Sequence, residues 1–201
     1  MLRDWMRGRR VARTALILTL LLLPAASAHA TKVAAVGIEE MVAHADRIFV
    51  GICQEALGEV DPKLGIVTTR YIFSVSQSIK GATVGSVRFR QYGGRAGKKR
   101  SAISGLPSYR PGEEVVLFLK PDSDWGLTSP VGLFQGRYSV VLNAETGRKV
   151  VVPDLYAPHL SGSTLAAMAR GRGKPARMSR EGRMDLEDFL DMIEGMVKDG
   201  R

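Results

Sequence analysis

A short apolar run late in the chain constrains the fold more than any other feature. The stretch YRPGEEVVLFL, residues 109–119, starts with a Pro-Gly turn dipeptide and continues into β-branched and aromatic residues without a polar break. A strand that is apolar on both faces must be covered on both, because either face would otherwise expose hydrocarbon to water. The stretch therefore predicts a strand over 114–120 that other elements enclose.

The clearest strand pattern lies in residues 66–79, where apolar and polar side chains alternate. The mostly apolar parity consists of Val67, Thr69, Tyr71, Phe73, Val75 and Ile79. Alternation of this kind predicts a strand that is buried on one face only. Because the segment is long for a flat strand, we expect it to bend or bulge while it curls around a core.

The remaining pattern predicts a mainly β protein with helices at both ends. Further strands are expected over Arg47–Cys53, Ser86–Tyr92, Leu133–Leu142 and Lys149–Val152, with loops over 93–101 and 121–132 and a hairpin turn at 143–147. Five or six strands at this spacing favour a small barrel or a sandwich. Helical spacing predicts a short helix near Ile38–Ala45 and another over Ser163–Ala169.

The last residues predict an amphipathic helix with one apolar stripe. The stripe consists of Leu186, Phe189, Leu190, Ile193, Met196 and Val197, and acidic residues crowd the first turn. We expect this helix to fold back over the sheet, and docking on another protein is the alternative.

The first thirty residues predict an export signal. An arginine-rich start precedes the apolar run 15–23, and small residues follow it, with cleavage expected after Ala28 or Ala30. We therefore expect an exported protein of the periplasm or extracellular space, with no transmembrane segment after processing. The predicted organisation is a signal peptide at 1–30, a barrel domain at 31–155, a basic Gly/Arg-rich connector at 156–183 and the amphipathic helix at 184–201.

The basic balance of the chain does not point to nucleic acid. The formal net charge is +9, but five arginines and one aspartate lie in residues 1–30, which leaves +5 for the rest. Six basic residues against one glutamate in 170–183 account for that remainder. The excess therefore lies in the signal and in one solvated connector rather than on a folded surface.

The composition contains one cysteine, Cys53, so no disulfide can form within the chain. It follows an apolar run, which predicts a small buried residue. The alternative is a reactive thiol, either one that forms a dimer or a nucleophile in a small cysteine-dependent hydrolase.

Three segments resemble the netrin-like, tissue-inhibitor-of-metalloproteinases type of oligonucleotide/oligosaccharide-binding (OB) barrel in its bacterial exported versions. They are Ala45–Gly51, the pattern Tyr71-x-Phe73-x-Val75 running into Ile79-Lys80-Gly81, and Pro111–Leu119, within a matching region of about 45–142. The resemblance implies a closed five-stranded barrel and a protein partner such as a co-secreted protease. The animal inhibitors of that family bind the protease zinc with an amino-terminal cysteine, which this chain does not have at either expected terminus, so the resemblance implies the fold and not that chemistry.

No catalytic or metal-ligating set is predicted, and no cofactor is expected. Two loops supply the candidate binding residues instead. The first is basic and carries Arg95, Lys98, Lys99 and Arg100, and the second carries Trp125, Leu127 and Val131. Large apolar residues in a loop favour binding, although Trp125 at a barrel end is the alternative. The leading hypothesis is a non-enzymatic exported binding module, a partner or inhibitor of an extracellular protease, and the second is an envelope module that binds an anionic polymer.

Overall fold

A computed structural model describes residues 35–153 and 183–200 of the chain. The elements in chain order are α1 (Ile38–His44), β1 (Arg47–Val60), β2 (Val67–Lys80), β3 (Gly85–Tyr92), β4 (Gly94–Ala96), β5 (Lys99–Ser101), β6 (Glu114–Leu119), a 3-10 helix (Leu133–Gly136), β7 (Arg137–Leu142), β8 (Lys149–Pro153), β9 (Met184–Asp185) and α2 (Leu186–Asp199). The predicted mainly β class with a helix at each end is confirmed. The predicted signal peptide, the Ser163–Ala169 helix and all of the connector except Arg183 lie outside the described residues.

Seven of the strands form one antiparallel sheet in the order β3-β2-β1-β6-β7-β8-β9, and β4 pairs with β5 in a separate hairpin. The prediction of a closed barrel of five or six strands is not met, because the strand pairing runs from β3 to β9 without returning. Val140 of β7 and Val151 of β8 lie under the helices. The helices already bury the apolar face of these strands. Closing the sheet by pairing β7–β9 with β3 is therefore not required to remove that face from water.

Strand β6 is enclosed on both faces, as its sequence predicts. Val116 and Phe118 belong to a helix-side core, and Val115, Leu117 and Leu119 belong to an aromatic core on the opposite face. All five side chains are fully buried. The aromatic core takes its name from the contacting rings of Phe49, Tyr71, Phe73, Phe89 and Tyr109.

Strand β2 has the predicted length and the predicted irregularities. Its pairing with β1 shifts register at three points, two of which leave an unpaired residue on β2. A bulge of this kind moves the following side chains to the other face of a sheet. Val75 therefore packs in the aromatic core whereas Ile79 packs against the helix-side core. The prediction that these two residues share one face is wrong for that reason.

Helix α2 folds back onto the sheet, which confirms the expectation for the last segment. Phe189, Leu190, Ile193 and Val197 are buried in the helix-side core, and the rings of Tyr138 and Phe189 are centred 4.8 Å apart. The Asp185 side chain caps the helix by accepting a hydrogen bond from the Glu187 amide at 3.0 Å. Among the described helices, none has the length and hydropathy that crossing a membrane requires.

Three element boundaries differ from the sequence predictions. Strand β1 continues past Cys53 to Val60, because residues 55–60 pair with β2 although their side chains are largely polar or exposed. The predicted loop 93–101 contains the β4–β5 hairpin. The predicted strand from Leu133 starts instead as a 3-10 helix, because Gly132 and Leu133 both have positive φ and reverse the chain before β7.

The β3 edge of the sheet meets the loop after β6 at one point. The Thr128 amide donates to the Arg90 carbonyl at 2.9 Å, while the Lys120 amide donates to Ser129 and the Val131 amide to Phe118. Residues 128–131 therefore run beside the end of β6 and contact β3 on their other side.

Candidate functional site

The predicted basic residues lie on the β4–β5 hairpin, which stands beside the end of the main sheet. Gly97 has φ 58°, so a residue without a Cβ occupies this position of the tight turn between the two strands. The Thr69 hydroxyl donates to the Gly93 carbonyl at 2.7 Å and holds the start of the hairpin against β2. The start of the hairpin is thus held to β2 by this bond and by the bond from the Gly93 amide to the Val67 carbonyl at 2.9 Å.

The four basic side chains Arg95, Lys98, Lys99 and Arg100 are all exposed. In the part of the chain that the structure describes, none of the ion pairs involves any of them. Arg95 and Arg100 are directly paired across the two strands. Residues opposite each other on neighbouring strands project from the same face, so the two arginine side chains leave the hairpin on one side.

An apolar groove lies next to the hairpin. Its volume is about 300 Å³, and it is lined by Tyr92, Ile103, Leu106, Lys120, Pro121, Ser123, Leu127, Thr128, Ser129 and Leu133. The lining side chains come from the end of β3, from the segment between β5 and β6, and from the loop after β6. This volume is at the lower end of the range of small-ligand sites and suits one or two apolar side chains of a partner.

The end of the hairpin contacts the groove. The Ser101 hydroxyl, at the end of β5, donates to the Tyr92 hydroxyl at 3.1 Å, and Tyr92 lines the groove. Ile103 follows two residues later, lines the groove and is 45% exposed. The chain therefore passes directly from the basic strand β5 into the apolar wall.

The structure separates the three predicted residues of the second loop. Trp125 lies at the loop tip and is 61% exposed, so the alternative of a buried plug is wrong for this residue. Leu127 lines the groove. Val131 is only 3% exposed and packs in the helix-side core, so it is unavailable to a partner. The loop is held by its own hydrogen bonds, among them the Ser123 amide to the Leu127 carbonyl at 2.8 Å.

Leu133 has a strained backbone at the groove wall. Its φ of 62° makes it the one non-glycine residue with positive φ in the described ranges. A large L-residue in this region is destabilised by steric contact with its own backbone, and such strain is often found at binding sites. In the sequence, only the neighbouring Gly132 signals an unusual backbone at this point. The groove residues Tyr92, Leu106 and Lys120 could not be recognised as parts of one site, because they come from separate segments.

The environment of Cys53 opposes the nucleophile hypothesis. The side chain is 1% exposed, and burial, aided by the negative charge of Glu113, raises the pKa of the thiol to about 11. A thiol with this pKa is protonated at neutral pH, whereas a nucleophilic cysteine is a thiolate. Within 35–153 and 183–200, no three histidine, cysteine, aspartate or glutamate side chains are grouped as metal ligands.

No protein-family model matches the chain, and no curated protein sequence matches it significantly.

Proposed function

We propose that the protein is an exported, non-enzymatic binding module that recognises an extracellular protein. The binding face consists of the apolar groove, the Trp125 loop tip and the β4–β5 hairpin. The observation that carries the proposal is the adjacency of an open apolar groove and four exposed basic side chains without carboxylate partners among the described residues. Binding surfaces combine an apolar centre with a charged rim in this way.

The chemistry of the groove supports recognition rather than reaction. The lining contains hydroxyl groups, one ammonium group and apolar side chains, and its described residues include no carboxylate, imidazole or thiol. A serine or threonine hydroxyl ordinarily needs an adjacent base of one of these kinds before it can act as a nucleophile. A surface of this composition can bind a partner through complementary shape, burial of apolar side chains and charge.

The proposal includes an OB-like barrel of netrin-like type as the fold that carries this face. Its support is the segment 128–131, which hydrogen-bonds to β6 on one side and through Thr128 to β3 on the other. With that segment as a wall, β1, β2, β3 and β6 would surround the aromatic core. The resemblance suggests an extracellular protease as the partner class, by analogy of fold alone.

Site-specific crosslinking tests the proposed function. The full chain, produced and exported by its native host, carries a photoreactive phenylalanine in place of Trp125 or, as a control, of Leu142, which is 68% exposed on β7. We expect one protein to crosslink at position 125 and not at 142, and Leu127→Glu to reduce that product at least about tenfold. If the crosslinked protein is a protease, its activity is then assayed with and without the purified chain.

Equal labelling at both positions, or a product that Leu127→Glu leaves unchanged, would remove the groove from the proposal. The denaturant unfolding curves of Leu127→Glu and the wild type must agree. Only then can a loss of crosslinked product be assigned to the changed groove surface and not to unfolding.

A second function, binding of an anionic polymer at the cell envelope, is favoured by the exposed tip of the hairpin. Lys98, Lys99 and Arg100 are adjacent and exposed there, and the basic cluster of 170–183 would add to them. Binding through charge alone weakens steeply with ionic strength, whereas apolar contact survives it. Affinity for heparin that disappears at high salt and in the triple alanine variant of these three residues would support the polymer.

A further inference from the structure

The Arg95–Arg100 pair places two like charges where a sheet ordinarily avoids them. Residues directly opposite on neighbouring strands have side chains close together, and like charges there destabilise the pairing. Strands β4 and β5 have three residues each, so little other pairing offsets the repulsion. A carboxylate between the guanidinium groups would turn this repulsion into attraction.

The pair is suited to an anion in geometry as well as in charge. The Arg95 Nε atom donates to the Gly97 carbonyl at 3.3 Å, which holds that guanidinium group on the hairpin. Planar guanidinium groups bind carboxylates through two parallel hydrogen bonds, which a lysine ammonium does not do. Lys98 in the adjoining turn and Lys99 at the start of β5 are exposed as well and add positive charge to the hairpin.

The neighbouring groove indicates that the ligand has apolar groups in addition to negative charge. Charge alone would suit a sulfated polysaccharide, but such a polymer gains nothing from a groove lined by Leu106, Leu127 and Leu133. A polypeptide offers carboxylates and large apolar side chains within a few residues of each other. Lys120 in the groove lining adds a positive charge at the apolar site itself.

We infer that the binding face recognises an acidic, apolar peptide segment of its partner. One or more aspartate or glutamate side chains bind between Arg95 and Arg100, and a large apolar side chain of the same segment enters the groove beside Tyr92. This inference rests on the proposed function and specifies the chemistry of the protein that is bound.

Peptide binding tests the inference directly. The probe is a fluorescein-labelled decapeptide of alternating aspartate and leucine, measured by fluorescence anisotropy against the exported full-length protein. Two matched peptides replace aspartate by lysine or leucine by serine. We expect the aspartate–leucine peptide to bind at least about tenfold more tightly than either, because each control lacks one of the two contacts.

Paired variants assign the contact to the two arginines. Arg95→Gln with Arg100→Gln should weaken the aspartate–leucine peptide by roughly tenfold or more, since two charge-assisted contacts are lost. Lys63→Gln with Arg88→Gln removes the same charge from exposed positions elsewhere and should change the affinity less than about twofold. Equal weakening by both double variants would overturn the clamp in favour of a general charge effect.

The remaining outcomes separate this inference from the proposed function. If crosslinking at position 125 is specific but the aspartate–leucine peptide binds no better than its controls, the recognition chemistry is wrong and the binding face remains. If heparin binds more tightly than the peptide and Leu127→Glu leaves heparin binding unchanged, the ligand is a polyanion and the peptide inference fails. If position 125 gives no specific crosslink, both fail.

Discussion

The backbone of Gly58 on β1 lies against the backbone of Arg95 on β4, so closely that a Cβ atom at position 58 would overlap with the Arg95 carbonyl oxygen. This contact places the basic hairpin beside the main sheet. An overlap with backbone cannot be relieved by rotating a side chain, so either β1 or the hairpin must move when position 58 gains a methyl group.

Gly58→Ala should therefore displace the hairpin. We expect a loss of about 1–3 kcal/mol in the free energy of unfolding, and faster cleavage by trypsin at Lys98, Lys99 or Arg100. Gly195→Ala is the matched control, because nothing lies within 4 Å of a Cβ at that helical position. Unchanged trypsin cleavage of Gly58→Ala would show that the contact does not hold the hairpin.

Asp61 should make the stability of the β1–β2 turn dependent on pH. Its carboxylate accepts hydrogen bonds from the Leu64 amide at 2.9 Å and the Lys63 amide at 2.8 Å, and it pairs with Arg90. The Leu64 bond, together with Arg90, lowers the pKa of the carboxyl below its ordinary 3.8. A lowered pKa in the folded state gives stability that is present above 3.8 and is lost as the pH falls through the folded-state value.

The measurement is the denaturant midpoint of the wild type and of Asp61→Asn from pH 7 to pH 2. The variant should be less stable at pH 7, and the difference should shrink below pH 4. Asp124→Asn, at an exposed loop position, serves as the control. A difference between wild type and Asp61→Asn that does not depend on pH would assign the effect to shape and not to charge.

Cys53 should resist thiol reagents in the folded protein. Burial and Glu113 raise the pKa of the thiol to about 11 from 9.0, so the thiolate is scarce at pH 8. We expect labelling of the native protein to be far slower than labelling in guanidinium, and to accelerate as the pH rises. Fast labelling of the native protein at pH 7 would bring back the cysteine-dependent hydrolase.

The same shift has a consequence for stability. The folded state holds the thiol proton more tightly than the unfolded state between pH 9.0 and about 11, so stability falls across that window as the pH rises. The Cys53→Ala variant should lack this part of the decline, which denaturant unfolding at both ends of the window measures.

Helix α2 should be integral to the fold. Ile193 is fully buried in the helix-side core, and Ile193→Ala should lower the free energy of unfolding by about 2–5 kcal/mol. Asp191→Ala, on the exposed side of the same helix, should change it by less than about 0.5 kcal/mol. Equal small effects would mean that the helix contributes little to the core and is free for another partner.

The Thr128 amide should exchange slowly with solvent if residues 128–131 form a wall of the proposed barrel. Its hydrogen bond to the Arg90 carbonyl is 2.9 Å long and joins the loop to the β3 edge. Protection comparable to that of the β2 and β3 amides is expected in native-state hydrogen exchange. Exchange at the rate of an unprotected loop would leave the sheet open at that edge.

Local patterns in the chain were sufficient to predict most elements. The order of apolar and polar residues predicts which side chains are buried, because side-chain direction follows directly from strand or helix periodicity. This holds for the alternation in 66–79, for the run 114–119 that is apolar on both faces, and for the stripe on the last helix. The burial of β6 on both faces and the return of α2 to the sheet were predicted in this way. The bulges of β2 were expected, but their positions were not, so Ile79 was placed on the wrong face.

The proposed binding face was predictable only in pieces. Arg95, Lys98, Lys99 and Arg100 are adjacent in sequence, and their exposure follows from composition and turn chemistry. Leu127 was a candidate, but nothing near it in the chain indicates Tyr92, Leu106 or Lys120, and nothing local distinguishes the buried Val131 from the exposed Trp125.

The physical reason is the range of the forces involved. Periodicity, turns and charge runs act between neighbours in the chain, and they determined most strands, the helices at both ends and the basic character of residues 95–100. A groove needs residues from β3, from the segment before β6 and from the loop after it to meet, and that depends on how bulged strands curve and where Gly58 admits the hairpin. Those placements result from packing the whole core at once, so they are visible only in three dimensions.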